Sequence, residues 1–366
     1  MEHAWIAGRP TALDAAIAAT AELLASSRCP LVAGLGTDVS GARAAITLAE
    51  RIGATVDHMN SDALLRDLDV MRSSGMLITT PTEAQARADT LLLIGAGLGE
   101  AWRELSPPLL APRLRDGAGP IERRVQCICP AGNWPFPQSA VVVGERPGDI
   151  PVILAALRAR LADRPISKTR IAPSKLENLA IALKAARFGV AVWSSEEIDA
   201  PTIEMLCGLI NDLNATTRFS GLLLAPGDNA VGVTQTCAWM TGLPVRTGFR
   251  HAFPEHDPWL FDSHRLVADG EADCLFWISA YRAAAIPWRT AAPTIALTAR
   301  DANFDKPPHV RISVGRPGVD HAGVEYLAAT GTLASVEAEE PSDAISVAEV
   351  IRRITGALPS ARESAC

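Results

Sequence analysis

Three groups of residues in this chain have the types and the spacing that chemistry requires. Gly34-Leu35-Gly36 follows an apolar run, and Asp57 comes about twenty residues later, in imitation of a dinucleotide-binding fingerprint. The third glycine of that fingerprint lets helix and strand pack closely beneath a pyrophosphate; here Val39 holds its place and Gly41 comes too late. The pattern reads as a tight turn rather than an NAD site. His251, His256, Asp257 and His264 crowd one stretch and have the donor atoms of a metal site. Their spacing is not that of two ligands one helical turn apart, and Pro254 and Pro258 break any helix, so the stretch reads as a solvent-facing or subunit-facing loop. Cys127 and Cys129 alternate along Val125–Cys129, which as a strand would put both thiols on one face, and are expected in the core.

No Gly-x-Ser-x-Gly elbow, Gly-x-x-x-x-Gly-Lys-Ser/Thr phosphate loop or Cys-x-x-Cys occurs. Glu196-Glu197 and the group Glu337, Glu339, Glu340 read as solvated faces, since a catalytic carboxylate pair needs an enclosing pocket. A net charge of −7 and a pI near 5.6 give no basic field for nucleic acid. No apolar stretch approaches the ~18 residues of a membrane span. The first residues lack the charged and apolar regions of a signal peptide, and seven cysteines without a secreted-type framework read as reduced thiols, so the expected location is the cytoplasm.

The elements that would position these residues alternate strand and helix, the pattern of an α/β fold with mostly parallel sheets flanked by helices. Strands are predicted at Cys29–Gly34, Gly53–Asp57, Thr90–Ile94, Val125–Cys129, Ala140–Val143, Val190–Trp193, Leu222–Leu224, Cys274–Ile278, Thr294–Leu297 and Val310–Val314. Helices are predicted from a capping-box-like start at Thr11, and over about 40–51, 150–161, 176–186, 202–213 and 345–354. Asp163–Ser174 reads as a linker and Pro107–Pro120 as a loop. The expected division is residues 1–62 with 170–345, a second α/β domain over 63–165, and a C-terminal helix and tail over 346–366. Ala88-Asp89 and Ala272-Asp273 each precede a strand that runs on to a Trp-Arg pair, a hint of two related halves.

From Arg187 onward the order of motifs is more telling. Phe188–Trp193, Asn211–Asn214, Pro226-Gly227-Asp228-Asn229-Ala230-Val231-Gly232 and Thr234–Pro244 are followed by Pro254–Pro258, Glu271-Ala272-Asp273 and Gly318–Gly323. Upstream, Pro30–Gly34, Val56-Asp57, Ala86–Asp89 and Pro147-Gly148-Asp149 keep the same order. The run resembles the B subunit of formylmethanofuran dehydrogenase, of the molybdopterin oxidoreductase superfamily, over nearly the whole chain. The resemblance implies that superfamily's α/β domains without the iron–sulfur domain.

The departures from the family pattern are as informative. No iron–sulfur cysteine cluster is present, and no cysteine falls between Cys29 and Cys127. The family's Cys-His-Gly-Pro, whose cysteine ligates tungsten or molybdenum, aligns with Ala63-Leu64-Leu65-Arg66, and an alanine methyl has no lone pair. Trp-Gly-x-Asn-Pro has become Ile94-Gly95-Ala96-Gly97-Leu98, and Asp-Pro-Arg has become Cys129-Pro130-Ala131. The resemblance then implies that metal, pterin and cluster are lost together. Gly34, Gly36, Thr37, Ala63, Gly95 and Gly97 would line a vestigial cleft, with no catalytic residue and no metal ligand.

A cofactor-free chain of this kind resembles the B subunit of the bacterial formyltransferase/hydrolase complex. By that resemblance the complex converts formyl-tetrahydromethanopterin to formate through a methanofuran-like carrier in formaldehyde oxidation. This chain would have a structural, non-catalytic role alongside hydrolase, formyltransferase and C-type subunits. Two other readings follow from the same residues. One is an active tungsten or molybdenum subunit with Asp62 or Asp67 as ligand. The other is a cleft that takes the carrier's anionic arm through Gly34–Thr37, Ser40, Arg66 and Arg87.

Overall fold

The computed structural model describes residues 3–95, 97–111, 123–130, 137, 139–166 and 169–359. The chain begins with β1 (Ala4–Ile6), β2 (Arg9–Pro10), α1 (Leu13–Ser26), β3 (Pro30–Gly36), α2 (Val39–Ile52) and β4 (Thr55–Val56). It continues through α3 (Ser61–Ser74), α4 (Pro81–Arg87), β5 (Thr90–Ile94), α5 (Gly99–Leu110), β6 (Arg124–Ile128), β7 (Val141–Val143), α6 (Ile150–Leu161), α7 (Pro173–Lys184), β8 (Gly189–Trp193), α8 (Ala200–Leu213) and β9 (Phe219–Leu223). Last come α9 (Ala230–Thr241), β10 (Thr247–Gly248), β11 (Glu255–His256), α10 (Ser263–Ala268), β12 (Cys274–Ser279), β13 (Thr294–Thr298), β14 (Val310–Ser313), β15 (Gly323–Leu327), β16 (Thr332–Val336) and α11 (Val347–Ala357).

These elements form two compact units, the first of residues 1–61, 228–326 and 333–366, the second of 62–227 and 327–332. The expected division at residues 165–170 is therefore corrected. β8 pairs with β5 in register from Gly189–Thr90 to Trp193–Ile94, and α7 and α8 share one apolar cluster with α6, so residues 170–227 cannot leave the second unit. Asp163–Ser174 joins two helices of that unit, and its last two residues begin α7. Likewise α11 is no separate tail: Val347, Val350, Ile351 and Ile354 are buried in the first unit's core.

In the first unit a nine-stranded sheet runs β11-β10-β4-β3-β12-β13-β14-β1-β2, with parallel pairing from β4 through β14 and antiparallel edges. The central strand β3 is buried along its whole length, as expected of a parallel strand covered on both faces. Leu31 and Ala33 meet Leu266 and Trp277 on one face, and Val32 meets α1, α2 and α11 on the other. In the second unit the sheet order is β7-β6-β5-β8-β9, all parallel, with α6, α7 and α8 against one face and α4 and α5 against the other. Two aromatic rings lie where side chains are missing on a neighbouring strand. A Cβ on Gly189 would fall inside the Phe219 ring, and one on Gly221 would stand 2.6 Å from the Trp193 ring.

The two Ala-Asp echoes do the same work. Asp89 accepts hydrogen bonds from the amides of Arg187 (2.9 Å) and Phe188 (3.3 Å), just before β8. Asp273 accepts from Arg28 (2.8 Å) and Cys29 (3.0 Å), just before β3, and from the Ser27 hydroxyl. Each carboxylate thus pins the start of one central parallel strand to the start of its neighbour. The Trp-Arg continuation does not carry over, since Trp102 is buried on α5 whereas Trp288 lies in a loop against Trp277.

Other expectations shift locally. α1 has Ala12 at its N-cap with no side-chain bond, so Thr11 does not cap it. α5 continues through Pro107 and Pro108, because burial of Trp102, Leu105 and Leu109 outweighs the proline cost near a helix end; 112–120 lies outside the described residues. Cys127 and Cys129 are both buried but on opposite faces: the strand ends at Ile128, and Cys129 turns over at a φ of 51° to join the other cluster.

Removing the Asp273 clamp should destabilise the fold by about 0.5–1.5 kcal/mol, the net worth of hydrogen bonds made at a solvent-exposed strand start. Burial raises this carboxyl's pKa, but the Ser27, Arg28 and Cys29 donors outweigh burial and set it below its ordinary value. Its contribution is thus present above pH ~4, the unfolded value, and lost as pH falls through the lower folded one. Denaturant unfolding of Asp273→Ala should show the loss at pH 7 and a smaller gap from wild type near pH 3.

Candidate functional site

In an open parallel sheet, ligands sit at the carboxyl ends of the two strands where the winding reverses. In the first unit these are β3 and β12; in the second, β5 and β8. The six glycine, threonine and alanine residues of the expected cleft divide three and three between the units.

At the first unit's reversal point, β3 ends in a distortion. Gly34 has a φ of 81° and Leu35 a φ of 54°, and the pairing with β12 slips between Trp277 and Ser279. Leu35 thereby leaves the face of Leu31 and Ala33 and joins that of Val32. A Cβ on Gly34 would stand 2.5 Å from the Ile278 carbonyl oxygen, which explains the glycine without a ligand. Gly36 faces the Met59 methyl and Ser279, and the Thr37 carbonyl accepts from Asn229 Nδ2 at 2.9 Å. Thr37 and Asp38 are buried, and Asp38 Oδ1 accepts the Gly41 amide at 3.0 Å. The α2 N-terminus therefore already holds a carboxylate, the charge a bound anion would bring. Gly41 is required all the same: a Cβ there would stand 2.0 Å from Thr37 Oγ1. Ser40 is exposed, and the Asp38 carboxylate occupies the helix end where the anion expected over Gly34–Thr37 and Ser40 would sit.

Sequence reasoning missed the polar residues around this loop. His58 is buried; its Nε2 donates to the Asp228 carbonyl (3.1 Å) and its Nδ1 accepts the Asn60 amide (3.0 Å). Burial holds the imidazole's pKa down to about 4, so it is neutral at physiological pH. Asp228 pairs with Arg282 at 2.6 Å, and burial, with Glu325 next, pushes the Tyr281 phenol far up. The sequence offered only the pair Asp228-Asn229, which the fold holds in consecutive left-handed conformations that asparagine and aspartate tolerate best. Asp57 serves structure: it accepts the Ser263 amide at 3.0 Å and faces Arg246 Nε at 3.5 Å.

At the second unit's reversal point, Gly95 has a φ of 108°, and its amide donates to the Ile128 carbonyl at 3.1 Å. A Cβ on Gly97 would stand 3.5 Å from Glu197 Oε1, and one on Gly99 would stand 3.2 Å from Glu196 Oε2. Both glutamates are exposed, as expected of a solvated face, and they line the mouth of this loop. Ala63 is buried on α3. Asp67, on the same helix, accepts the Ser195 hydroxyl at 2.5 Å, and burial raises its pKa to about 6. Arg66 donates to the carbonyls of Ser195 and Ile198. Arg66 and Arg87, both expected beside the carrier's anionic arm, do not converge: Arg87 bonds Glu83 at 2.8 Å and lies over Phe188, at the amino end of β8, whereas Arg66 is at the carboxyl end.

The histidine stretch does not converge. His251 bonds Glu255 (2.6 Å), His256 bonds the Arg246 carbonyl (2.9 Å), Asp257 accepts the Trp259 and Leu260 amides, and His264 accepts Trp288 Nε1 (2.8 Å). Among the described residues no three such side chains could hold a metal ion. Burial raises Cys127 to about 12 and Cys129 to about 11, and the two thiols lie on opposite faces of the sheet, so they do not form a pair of ligands.

The metal-pterin group implied by the family resemblance does not fit these residues. Ala63 has no donor, Asp67 is committed to Ser195, Asp38 fills the α2 N-terminus, and two glutamates face the loop that would carry nucleotide contacts. Fold and site define a two-unit, doubly wound α/β protein whose nucleotide-type strand ends carry carboxylates and packing side chains. The chain is 35% identical over 344 residues to the B subunit of the formyltransferase/hydrolase complex Fhc of Methylorubrum extorquens, covering 93% of this chain and 92% of that protein. It is 23% identical over 328 residues to the B subunit of the tungsten-containing formylmethanofuran dehydrogenase 2 of Methanocaldococcus jannaschii, covering 86% of this chain and 75% of that protein. One chain of the crystal structure of the FhcABCD complex of M. extorquens with methylofuran superposes with a TM-score of 0.85 at 35% identity, covering 96% of this chain and 98% of that one. No family model matches the sequence. The chain belongs to the B-subunit family of formyltransferase/hydrolase complexes.

Because His58 is neutral in the fold, acid should act through it. Its folded pKa of about 4 lies below the ordinary 6.5, so its share of stability is complete above pH ~6.5 and is lost as pH falls toward 4. That loss is on the order of 3 kcal/mol. Asp67 titrates with the opposite sign, so the gap between wild type and His58→Gln isolates the effect: it should narrow between pH 7 and pH 4.5. An unchanged gap would exclude a buried neutral imidazole.

Proposed function

We propose that this chain is the structural, non-catalytic B subunit of a cytoplasmic formyltransferase/hydrolase complex. The complex converts formyl-tetrahydromethanopterin to formate through a methanofuran-like carrier, and hydrolase, formyltransferase and C-type subunits carry the chemistry. What supports this reading most directly is the similarity to an Fhc B subunit over more than nine-tenths of both chains, joined to the lack of any three-ligand metal cluster among the described residues. No helix among the described residues is long and apolar enough to cross a membrane. Cofactor loss is supported by the poor fit of Ala63, Asp67 and Asp38 to a metal-pterin.

The 23% identity to a tungsten-containing relative keeps one rival specific, with Asp62 or Asp67 as the metal ligand, of which Asp67 is the buried one. Asn keeps an acceptor for Ser195 but is a far poorer ligand for a hard metal. Formyl transfer and hydrolysis by the assembled complex should be unchanged, within about twofold, in Asp67→Asn. Tungsten or molybdenum bound by the wild-type complex and lost in Asp67→Asn, with the complex still assembled, would favour the rival. Omission of this chain should leave the other subunits unable to co-purify as one complex.

A further inference from the structure

α2, α9 and α11 lie side by side on the first unit, with α2 in contact with both others. Between them runs a groove of about 400 Å³ lined by Ala44, Met240, Ala348 and Ile351, with Arg43 and Arg352 at its rim. Met240 is 40% exposed and its neighbour Trp239 is 66% exposed at the end of α9. Both present much of their surface to solvent, and Trp, Met and Arg are the residue types that anchor protein interfaces.

The charge of the rim selects the occupant. Arg43 has no ion-pair partner among the described residues, while the single carboxylate of Glu349 is shared by Arg352 and Arg353. The groove is therefore locally cationic on a chain whose net charge is −7. Resting on the reading of this chain as a member of a complex, we infer that the α2–α9–α11 groove docks a partner subunit through an acid-rich segment that inserts an apolar side chain. The apolar floor supplies affinity, and Arg43 and Arg352 supply orientation and a salt-sensitive encounter.

The full chain, combined with its hydrolase-, formyltransferase- and C-type subunits, tests this. Met240→Glu and Arg43→Glu should each weaken its incorporation by about tenfold or more. The free chain's thermal midpoint should not move, because both side chains face solvent. Rising salt should weaken wild type more steeply than Arg43→Glu. A photo-crosslinking residue in place of Thr47, in the same groove, should capture an acid-rich stretch of one partner. Failure of wild type to join any partner overturns the subunit reading and this inference with it. Assembly of wild type and both variants with equal affinity overturns the inference alone. So does a crosslink only to a second copy of this chain.

Discussion

The architecture depends on one interaction made twice: a carboxylate just ahead of a central strand accepts the backbone amides that open the neighbouring parallel strand. Parallel neighbours are far apart in sequence, 98 residues for Asp89 and Arg187 and 245 for Arg28 and Asp273, so their register has no turn to set it. Charge-assisted hydrogen bonds at the strand starts supply that register. Once the starts are level, the opposite ends are level too, and the loops after β3 and β12, or after β5 and β8, must meet. The clamp that holds each sheet therefore also decides which residues can face a ligand.

Among the described residues, what meets at those ends is packing and internal hydrogen bonding. Gly34 and Leu35 reverse the face of β3 and bring backbone close to Ile278, Asp38 satisfies the helix that follows, and His58 is held neutral between Asn60 and Asp228. In the second unit α3 is strapped to the β8–α8 loop by Arg66 and by the Asp67–Ser195 bond. Side chains that in a nucleotide-binding fold would greet phosphate are here bonded to their own backbone or carry the wrong sign.

Much of this was legible in the sequence, for stated reasons. Fully buried parallel strands read as continuous apolar runs, which is why β5 and β13 fall almost where the apolar pattern puts them. α3 escaped notice because Leu68 and Met71 are exposed and its polar residues break the stripe; α9 did because Gly232 and its threonines weaken the pattern. Gly232 is there to admit Asn229, whose Oδ1 would lie 2.2 Å from an added Cβ, a constraint that only the fold reveals. The domain boundary was misplaced because a proline-punctuated linker looks the same within a unit as between units. The loss at Ala63 could be read from one position, but the engagement of Asp67 by Ser195, 128 residues away, could not.

On the proposed reading, a redox-type fold serves here as a body for assembly rather than as a cofactor holder. The most direct test of that reading is the tungsten, molybdenum and pterin content of the purified native complex, by elemental analysis and by fluorescence of the oxidised pterin. The account predicts neither metal nor pterin in stoichiometric amount. Either metal near one equivalent per copy of this chain, accompanied by pterin, would contradict it.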